Sequence, residues 1–340
     1  MDPKALSALC LLSAAACSGG EESVPAEHPN LVLIVADDLG WGDVGYHSSG
    51  VPTPNIDRLA RDGLALDRFY AYPVCSPSRA ALMTGRTPMS LDFVRGPAMP
   101  WKPRELSLEE RTMGEVFRDA GYGTALVGKW HLGLTRRDRW PDRRGFGHFY
   151  GFPVGAVDYF THKRSGGLDW QRDGLSVEEP GYTTDLIAGQ AVRYIEERDK
   201  GRPFFLFVSF NAPHTPLGAP AELIRKHSGE SDPARRKYLA AVDALDQAIG
   251  RIRTALAKEG MGENTLLVFL SDNGASPHKG GSNLPLRGGK FDTFEGAIRV
   301  PAVLYWPGHL TGGKVSEQVV TLPDLLPTLA AACGFTPLGT

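Results

Sequence analysis

Asn30-Leu31-Val32-Leu33-Ile34-Val35-Ala36 is an unbroken apolar run that ends abruptly in Asp37-Asp38. Its residues do not alternate between apolar and polar, so neither side of the segment is meant to face water. Seven such residues bounded by polar ones form the pattern of a strand buried on both faces, as in a parallel sheet covered by helices. Two carboxylates then stand where the strand leaves the core.

The same pattern recurs outward from this segment. Apolar runs at 124–127, 203–210, 265–270 and 302–306 read as further strands, and the stretches 55–61, 112–120, 184–197, 234–258 and 323–332 read as helices. Strands alternating with helices predict an α/β domain with a large, mostly parallel central sheet flanked by helices. Polar groups follow four of the runs: Asp37-Asp38, then Gly128-Lys129-Trp130-His131, then Asn211-Ala212-Pro213-His214, then Ser271-Asp272-Asn273-Gly274. Open α/β sheets bind ligands beyond the carboxyl ends of their strands. These four segments therefore converge on the expected place for a site.

Composition fits this reading. With 340 residues, 42% hydrophobic and 22% charged, the chain has enough apolar material for a sizeable core and the balance of a globular protein. A formal net charge of −2 and the lack of a basic stripe argue against a nucleic-acid partner. The 40 glycines and 26 prolines point to many tight turns and functional loops. Residues 1–17 read as an export signal. The segment 6–17 is apolar, rich in small residues and too short to span a bilayer, and Ala14-Ala15-Ala16-Cys17 resembles a bacterial lipoprotein processing site. Cys17 is then the lipid-anchored first residue and 18–28 a flexible tether; the alternative is plain secretion. Either way the chain is expected outside the cytoplasm, as a periplasmic or outer-membrane lipoprotein of a bacterium or as a secreted protein. Cys10 falls within the signal, which leaves Cys75 and Cys333, too few for a disulfide framework.

Asp37, Asp38, Asp272 and Asn273 supply hard oxygen donors, a set suited to Ca²⁺ or Mg²⁺ rather than zinc. Each pair taken alone also fits an ordinary polar turn. Cys75-Ser76-Pro77-Ser78-Arg79 leads a short helical stretch ended by Gly85, with Ser76 expected at the N-cap and Pro77 at the first helical position. Cys75 then lies at the positive end of a helix, which favours an anion and acidifies a thiol. A cysteine packed in a core is the alternative. Likewise Lys129 and Lys290 alone fit solvated lysines, His131 a core histidine and His214 a loop histidine.

Cys-x-Pro-Ser-Arg at 75–79 resembles the signature of the type I sulfatases. Gly-Arg-Thr-Pro at 85–88, Gly121-Tyr122-Gly123-Thr124, Gly128-Lys129-Trp130-His131-Leu132-Gly133 and Ser271-Asp272-Asn273-Gly274 resemble that family's pattern in order. Arg143-Arg144-Gly145-Phe146, Val157-Asp158-Tyr159-Phe160-Thr161-His162 and Leu284-Pro285-Leu286-Arg287-Gly288-Gly289-Lys290 are similar to its arylsulfatase B (N-acetylgalactosamine-4-sulfatase) branch.

The resemblance implies an alkaline phosphatase-like sandwich over 29–340 and a sulfuric ester hydrolase acting on aryl sulfates or sulfated saccharides. It implies that a maturation enzyme converts Cys75 to formylglycine, whose hydrate attacks sulfur, expels the alcohol and then releases sulfate as the aldehyde re-forms. Covalent catalysis splits one hard displacement into two easier ones. One Ca²⁺, with Mg²⁺ as the alternative, is implied on Asp37, Asp38, Asp272, Asn273 and residue 75. Arg79 is implied to steady the hydrate, Lys129 and Lys290 to bind sulfate, His214 and Lys290 to assist the leaving oxygen, and His131 to take the proton from the second hydroxyl. His162, His278, Asn283 and Arg287 are candidates for a substrate rim, or loop residues with no role. The family's C-terminal antiparallel subdomain is expected to be largely absent here, which would uncover part of the sheet. Two other readings stay open: a phosphodiesterase or phosphonate monoester hydrolase of the same superfamily, and a non-catalytic lipoprotein that binds sulfated glycans.

Overall fold

The structure is a computed structural model describing residues 28–94, 96–99, 101 and 104–337. The signal and lipid-anchor expectations for 1–17, Cys10 and Cys17 among them, lie outside the described residues, as does most of the 18–28 tether. Among the described residues, ten strands form one sheet. Its centre is β1 (Asn30–Ala36), every residue of which is buried. The other strands in chain order are β2 (Leu64–Leu66), β3 (Gly123–Lys129), β4 (His148–Phe152), β5 (Gln171–Arg172), β6 (Leu175–Ser176), β7 (Phe204–Ser209), β8 (Thr265–Ser271), β9 (Ala302–Tyr305) and β10 (Lys314–Ser316). In space they run β10-β2-β9-β8-β1-β7-β3-β4-β5-β6.

The five middle strands, β8-β1-β7-β3-β4, are all parallel, with Leu31 opposite both Phe205 and Leu266. Side chains along a strand alternate between faces, so β1 feeds two cores at once. Val32, Ile34 and Ala36 join one cluster with Ile187 of α4 (Thr183–Glu197) and Leu245 and Ile249 of α5 (Pro233–Lys258). Leu31, Leu33 and Val35 join the other with Leu82 of α2 (Cys75–Thr84), Phe117 of α3 (Met113–Asp119) and Leu326 of α6 (Leu322–Ala332). The first cluster also takes Ile56 and Leu59 from α1 (Pro54–Asp62). Two covered faces explain why the strands read as continuous apolar runs.

Local chemistry sets the helix starts. Asp232 accepts from the Ala234 backbone N–H ahead of Pro233 at the first helical position, while Thr112 with Glu115 and Thr321 with Asp324 form capping boxes. The last helix is tied to the first strand. His28 Nδ1 donates to the Cys333 carbonyl at 2.6 Å, and the Tyr122 hydroxyl reaches both the Pro29 carbonyl at 3.2 Å and the Cys333 carbonyl at 3.4 Å. No helix among the described residues is long and apolar enough to cross a membrane.

One strand direction that the sequence leaves open is settled, and one expectation changes. The strand at 302–306 pairs antiparallel with β8, and β2 pairs antiparallel with it in turn. A parallel return needs a crossover element spanning the sheet, and between β8 and β9 the regular structure amounts to a single turn at Pro277–Lys279 and a four-residue helix, Glu295–Ile298. Helix α2 begins two residues earlier than expected: Cys75 is its first residue and Val74 its N-cap, so Ser76 caps nothing. The Ser76 hydroxyl instead accepts from the Ala98 backbone N–H at 2.9 Å. At the far edge, Val315 of β10 is 66% exposed.

Candidate active site

Asp37, Lys129, Ser209 and Asp272 emerge at or just beyond the carboxyl ends of β1, β3, β7 and β8, and the start of α2 faces them. Gly128 (φ +115°) lets two of these ends approach: a Cβ there would lie 1.9 Å from the Ser209 carbonyl oxygen. The strand ends are then joined by charge. Lys129 Nζ donates to Asp37 Oδ2 at 2.6 Å, both side chains being fully buried. Arg79 Nε donates to Asp272 Oδ2 at 2.9 Å, and its Nη1 to Ser209 Oγ at 2.5 Å and to the Lys129 carbonyl at 3.3 Å. One guanidinium thus ties α2 to three strand ends.

Asp38 gathers the second half. Lys290 Nζ reaches its two oxygens at 2.6 and 2.9 Å, Asn273 Nδ2 donates to Oδ1 at 2.7 Å, and His214 Nε2 lies 3.5 Å from Oδ2. The Tyr238 hydroxyl of α5 donates to its carbonyl at 2.8 Å. Both Asp38 and His131 hold φ +66°, a conformation that non-glycine residues take up chiefly where the surroundings enforce it.

Cys75 lies at the floor of a cavity of about 230 Å³ with Asp38, His131, His214 and Lys290. Lys290 Nζ is 3.5 Å from its sulfur. Burial pushes the Cys75 thiol up, but the charges of Lys129 and Lys290 outweigh it and hold the thiol well below its usual range. His131 Nε2 donates to the Ala98 carbonyl at 2.8 Å, which leaves Nδ1 as the lone-pair nitrogen of the neutral ring. Burial and then Lys129 keep that ring below its ordinary pKa, so the neutral form is favoured. His214 goes the other way. Burial opposes its charge, and Asp38 and Asp37 overcome that opposition and raise it. One histidine is set up as a base and the other as a cation.

Two oxygens in this cluster, Asp37 Oδ1 and Asn273 Oδ1, are buried without a hydrogen-bond partner. Buried acceptors are rarely left so, and hard oxygens facing a dense set of carboxylates fit a divalent cation. Ligand atoms of Asp37, Asp38, Cys75 and His214 lie within 4.8 Å of one another. Three of the five expected ligands, Asp37, Asp38 and Cys75, fall in that group, and His214 joins it. Of the other two, Asn273 offers its free oxygen, whereas Asp272 has one oxygen on Arg79 and the other accepting from the Asp38 backbone N–H at 3.3 Å. Burial, then Asp37, push the Asp272 carboxyl up.

The structure brings Cys75, Arg79, Lys129, His131, His214 and Lys290 together, but not the four rim candidates. His162 is buried and stacks on Trp170 at 4.6 Å. Asn283 is buried and uses its amide to bridge Ala275 and Gly288. Arg287 lies over the Phe294 ring at 3.8 Å, and His278 is exposed away from the cavity lining. The lining includes Met99, Gly155, Arg164, Lys279 and Phe291 instead. Sequence reading also missed Ser209, whose signal was a polar residue closing a buried run, and Tyr238, an ordinary helical tyrosine with no signal at all.

Residues 29–335 match the sulfatase family pattern. The chain is 36% identical over 309 residues to arylsulfatase J of Mus musculus, covering 88% of this chain and 52% of that protein. It is 37% identical over 334 residues to N-acetylgalactosamine-6-sulfatase of Homo sapiens, covering 91% and 63%. The chain thus spans about half to two thirds of the length of these relatives. Among solved structures, Ps i-CgsB, crystallised in complex with k-i-k-neocarrahexaose, superposes with a TM-score of 0.86 at 36% identity, over 90% of this chain and 72% of that one. A family-wide match over nearly the whole described chain, laid on a sheet whose strand ends carry these charges, means that the chain belongs to the sulfatase family.

Proposed function

We propose that this protein hydrolyses sulfate esters of saccharides or aryl alcohols, using residue 75 after its conversion from cysteine to formylglycine. The observation that carries this reading is the cavity floor, where the residue-75 side chain lies against Lys290, between a base-type and a cation-type histidine. The names of the relatives at 36–37% identity support a sulfate rather than a phosphate or phosphonate ester.

Asp37, Asp38, Asn273 and residue 75 would hold the cation, with Asp272 and His214 beside it. We assign calcium because the donors are hard oxygens. When bound, it supplies positive charge that polarises a sulfate oxygen. The formylglycine hydrate supplies the oxygen that attacks sulfur. Lys129 and Lys290 hold the sulfate oxygens as charge develops on them, the kind of fixed electrostatic contact that dominates many enzymes' rate gains. Arg79, locked by Asp272 and Ser209, fixes the first turn of α2 and hence the position of residue 75. His214, as a cation, donates toward the departing alcohol oxygen together with Lys290. His131 accepts a proton on Nδ1 when sulfate is released. The 284–290 resemblance supports N-acetylgalactosamine 4-sulfate as the saccharide unit, and the 1–17 segment supports export with a lipid anchor at Cys17.

Mass spectrometry of the peptide spanning residue 75, alongside release of 4-nitrophenol from 4-nitrophenyl sulfate, tests this. Active protein should carry CHO in place of CH₂SH at residue 75, and Cys75→Ala should be folded and inactive. Turnover by protein whose residue 75 is still a thiol would rule the mechanism out.

A further inference from the structure

The charges around the cavity do not balance once the floor is accounted for. Asp38 is the acidic residue lining it among the described residues, and it is already shared by Lys290, His214 and Asn273. Two further cations line the same cavity, Arg164 and Lys279. Neither side chain has a hydrogen bond or ion pair within the protein among the described residues. Both stand on held backbone. Arg164 ends the first strand of a small hairpin, Lys163–Arg164 paired with Gly167–Leu168. Lys279 ends the turn Pro277–Lys279, and the following Gly280 packs so closely that a Cβ there would lie 2.7 Å from the Ala234 backbone. Arginines and lysines are usually solvated, but a pair lining one cavity beyond the sulfate-binding floor adds charge that a single sulfate does not use. Phe291, 63% exposed, adds an aromatic face at the same opening.

We propose that Arg164 and Lys279 form a second anion-binding subsite, so that the preferred substrate is a saccharide with a second anionic group, sulfate or carboxylate, beside the ester that is cleaved. This rests on the sulfatase reading above and narrows its substrate class. A guanidinium fork suits the paired oxygens of either group, and Phe291 suits the apolar face of a sugar ring between the two charges.

The test compares the parent with Arg164→Ala, Lys279→Ala and the double variant. Four substrates are used: 4-nitrophenyl sulfate, N-acetylgalactosamine 4-sulfate, its 4,6-disulfate, and a uronate-linked disaccharide of the 4-sulfate. Each substitution should raise KM for a doubly anionic substrate by about tenfold, in line with losing one charge-assisted hydrogen bond, while kcat stays unchanged. The two singly charged substrates should not respond. Loss confined to the disulfate identifies the second group as sulfate; loss confined to the uronate disaccharide identifies carboxylate. Equal losses on all four substrates, or none, would overturn the subsite. If the parent turns over none of them, the sulfatase reading fails separately, and calorimetric binding of the two doubly anionic saccharides decides the subsite. Binding by the parent that the double variant loses supports it; binding unaltered or absent in both refutes it.

Discussion

The floor of the cavity and its rim are built on opposite principles. The floor rests on Asp37, Arg79, Lys129 and Asp272, which lie behind the lining residues, are each no more than 1% exposed, and are each locked in an ion pair. On the rim, the Arg164 and Lys279 side chains have no hydrogen bond or ion pair within the protein among the described residues, and Phe291 projects into solvent. A buried charge must have a partner, so every floor residue constrains its neighbour; a solvated charge constrains nothing. The floor can therefore vary only as a unit, whereas the rim can vary one residue at a time, which suits it to setting selectivity.

The sharpest way to break that contrast is to unpair the floor. Lys129→Met leaves Asp37 without its buried partner and should cost about 3–5 kcal/mol in urea unfolding, with turnover lost as well. Parent-like stability in that variant would mean that the floor is not locked by charge. Next in size is the cation. Calcium at a hundred times its dissociation constant should stabilise the protein by about 2.7 kcal/mol, seen as a rise in melting temperature that a chelator reverses. No shift would leave the free oxygens of Asp37 and Asn273 unexplained.

A smaller effect lies where floor and rim meet. A Cβ at Gly155 would lie 2.6 Å from the His131 ring, so Gly155→Ala should move that ring. We expect aryl sulfate turnover to fall roughly 10–100-fold, because small misplacements of a reacting group are expensive. Stability should drop by only about 1–2 kcal/mol. Unchanged turnover would show that the His131 position is not critical.

The smallest effect is behind the rim, where Asp169 accepts from the backbone N–H of the lining residue Val154 at 3.1 Å. Burial raises this carboxyl to about 6 from 3.8. A raised carboxyl holds its proton longer in the folded state, so its contribution is full below the ordinary value and is lost as pH rises through about 6. Between pH 4 and pH 7 the parent should lose on the order of 1 kcal/mol relative to Asp169→Asn. Parallel stability profiles would place Asp169 in ordinary solvent.

The same contrast decides what could be read in the sequence. The middle strands were legible because burial on both faces demands unbroken apolar runs, and the floor because its residues follow those runs directly. The short outer strands, such as Gln171–Arg172 and Leu175–Ser176, were not, since two residues carry no periodicity. The direction of Ala302–Tyr305 stayed open because an apolar run does not encode it. The rim failed for another reason. His162 and Asn283 looked like free polar loop residues, yet one stacks on Trp170 and the other staples its own loop. Arg164 and Lys279 reach the cavity from a short hairpin and a single turn, whose placement no local pattern specifies. The helix start was misplaced by two residues, because the helix takes Val74 as its cap despite a serine two positions on.

The Lys129–Asp37 and Arg79–Asp272 pairs carry a lesson for judging which descendants of such a fold still work. A lineage that abandoned the reaction would continue to need these four residues, since dropping any one strands a charge in the interior. Their persistence alone is thus no record of turnover. Position 75 has no ion pair to maintain, only the Lys290 ammonium at 3.5 Å, and is free to drift once selection lapses. On the proposed mechanism, what occupies that single position tells an active lineage from a retired one.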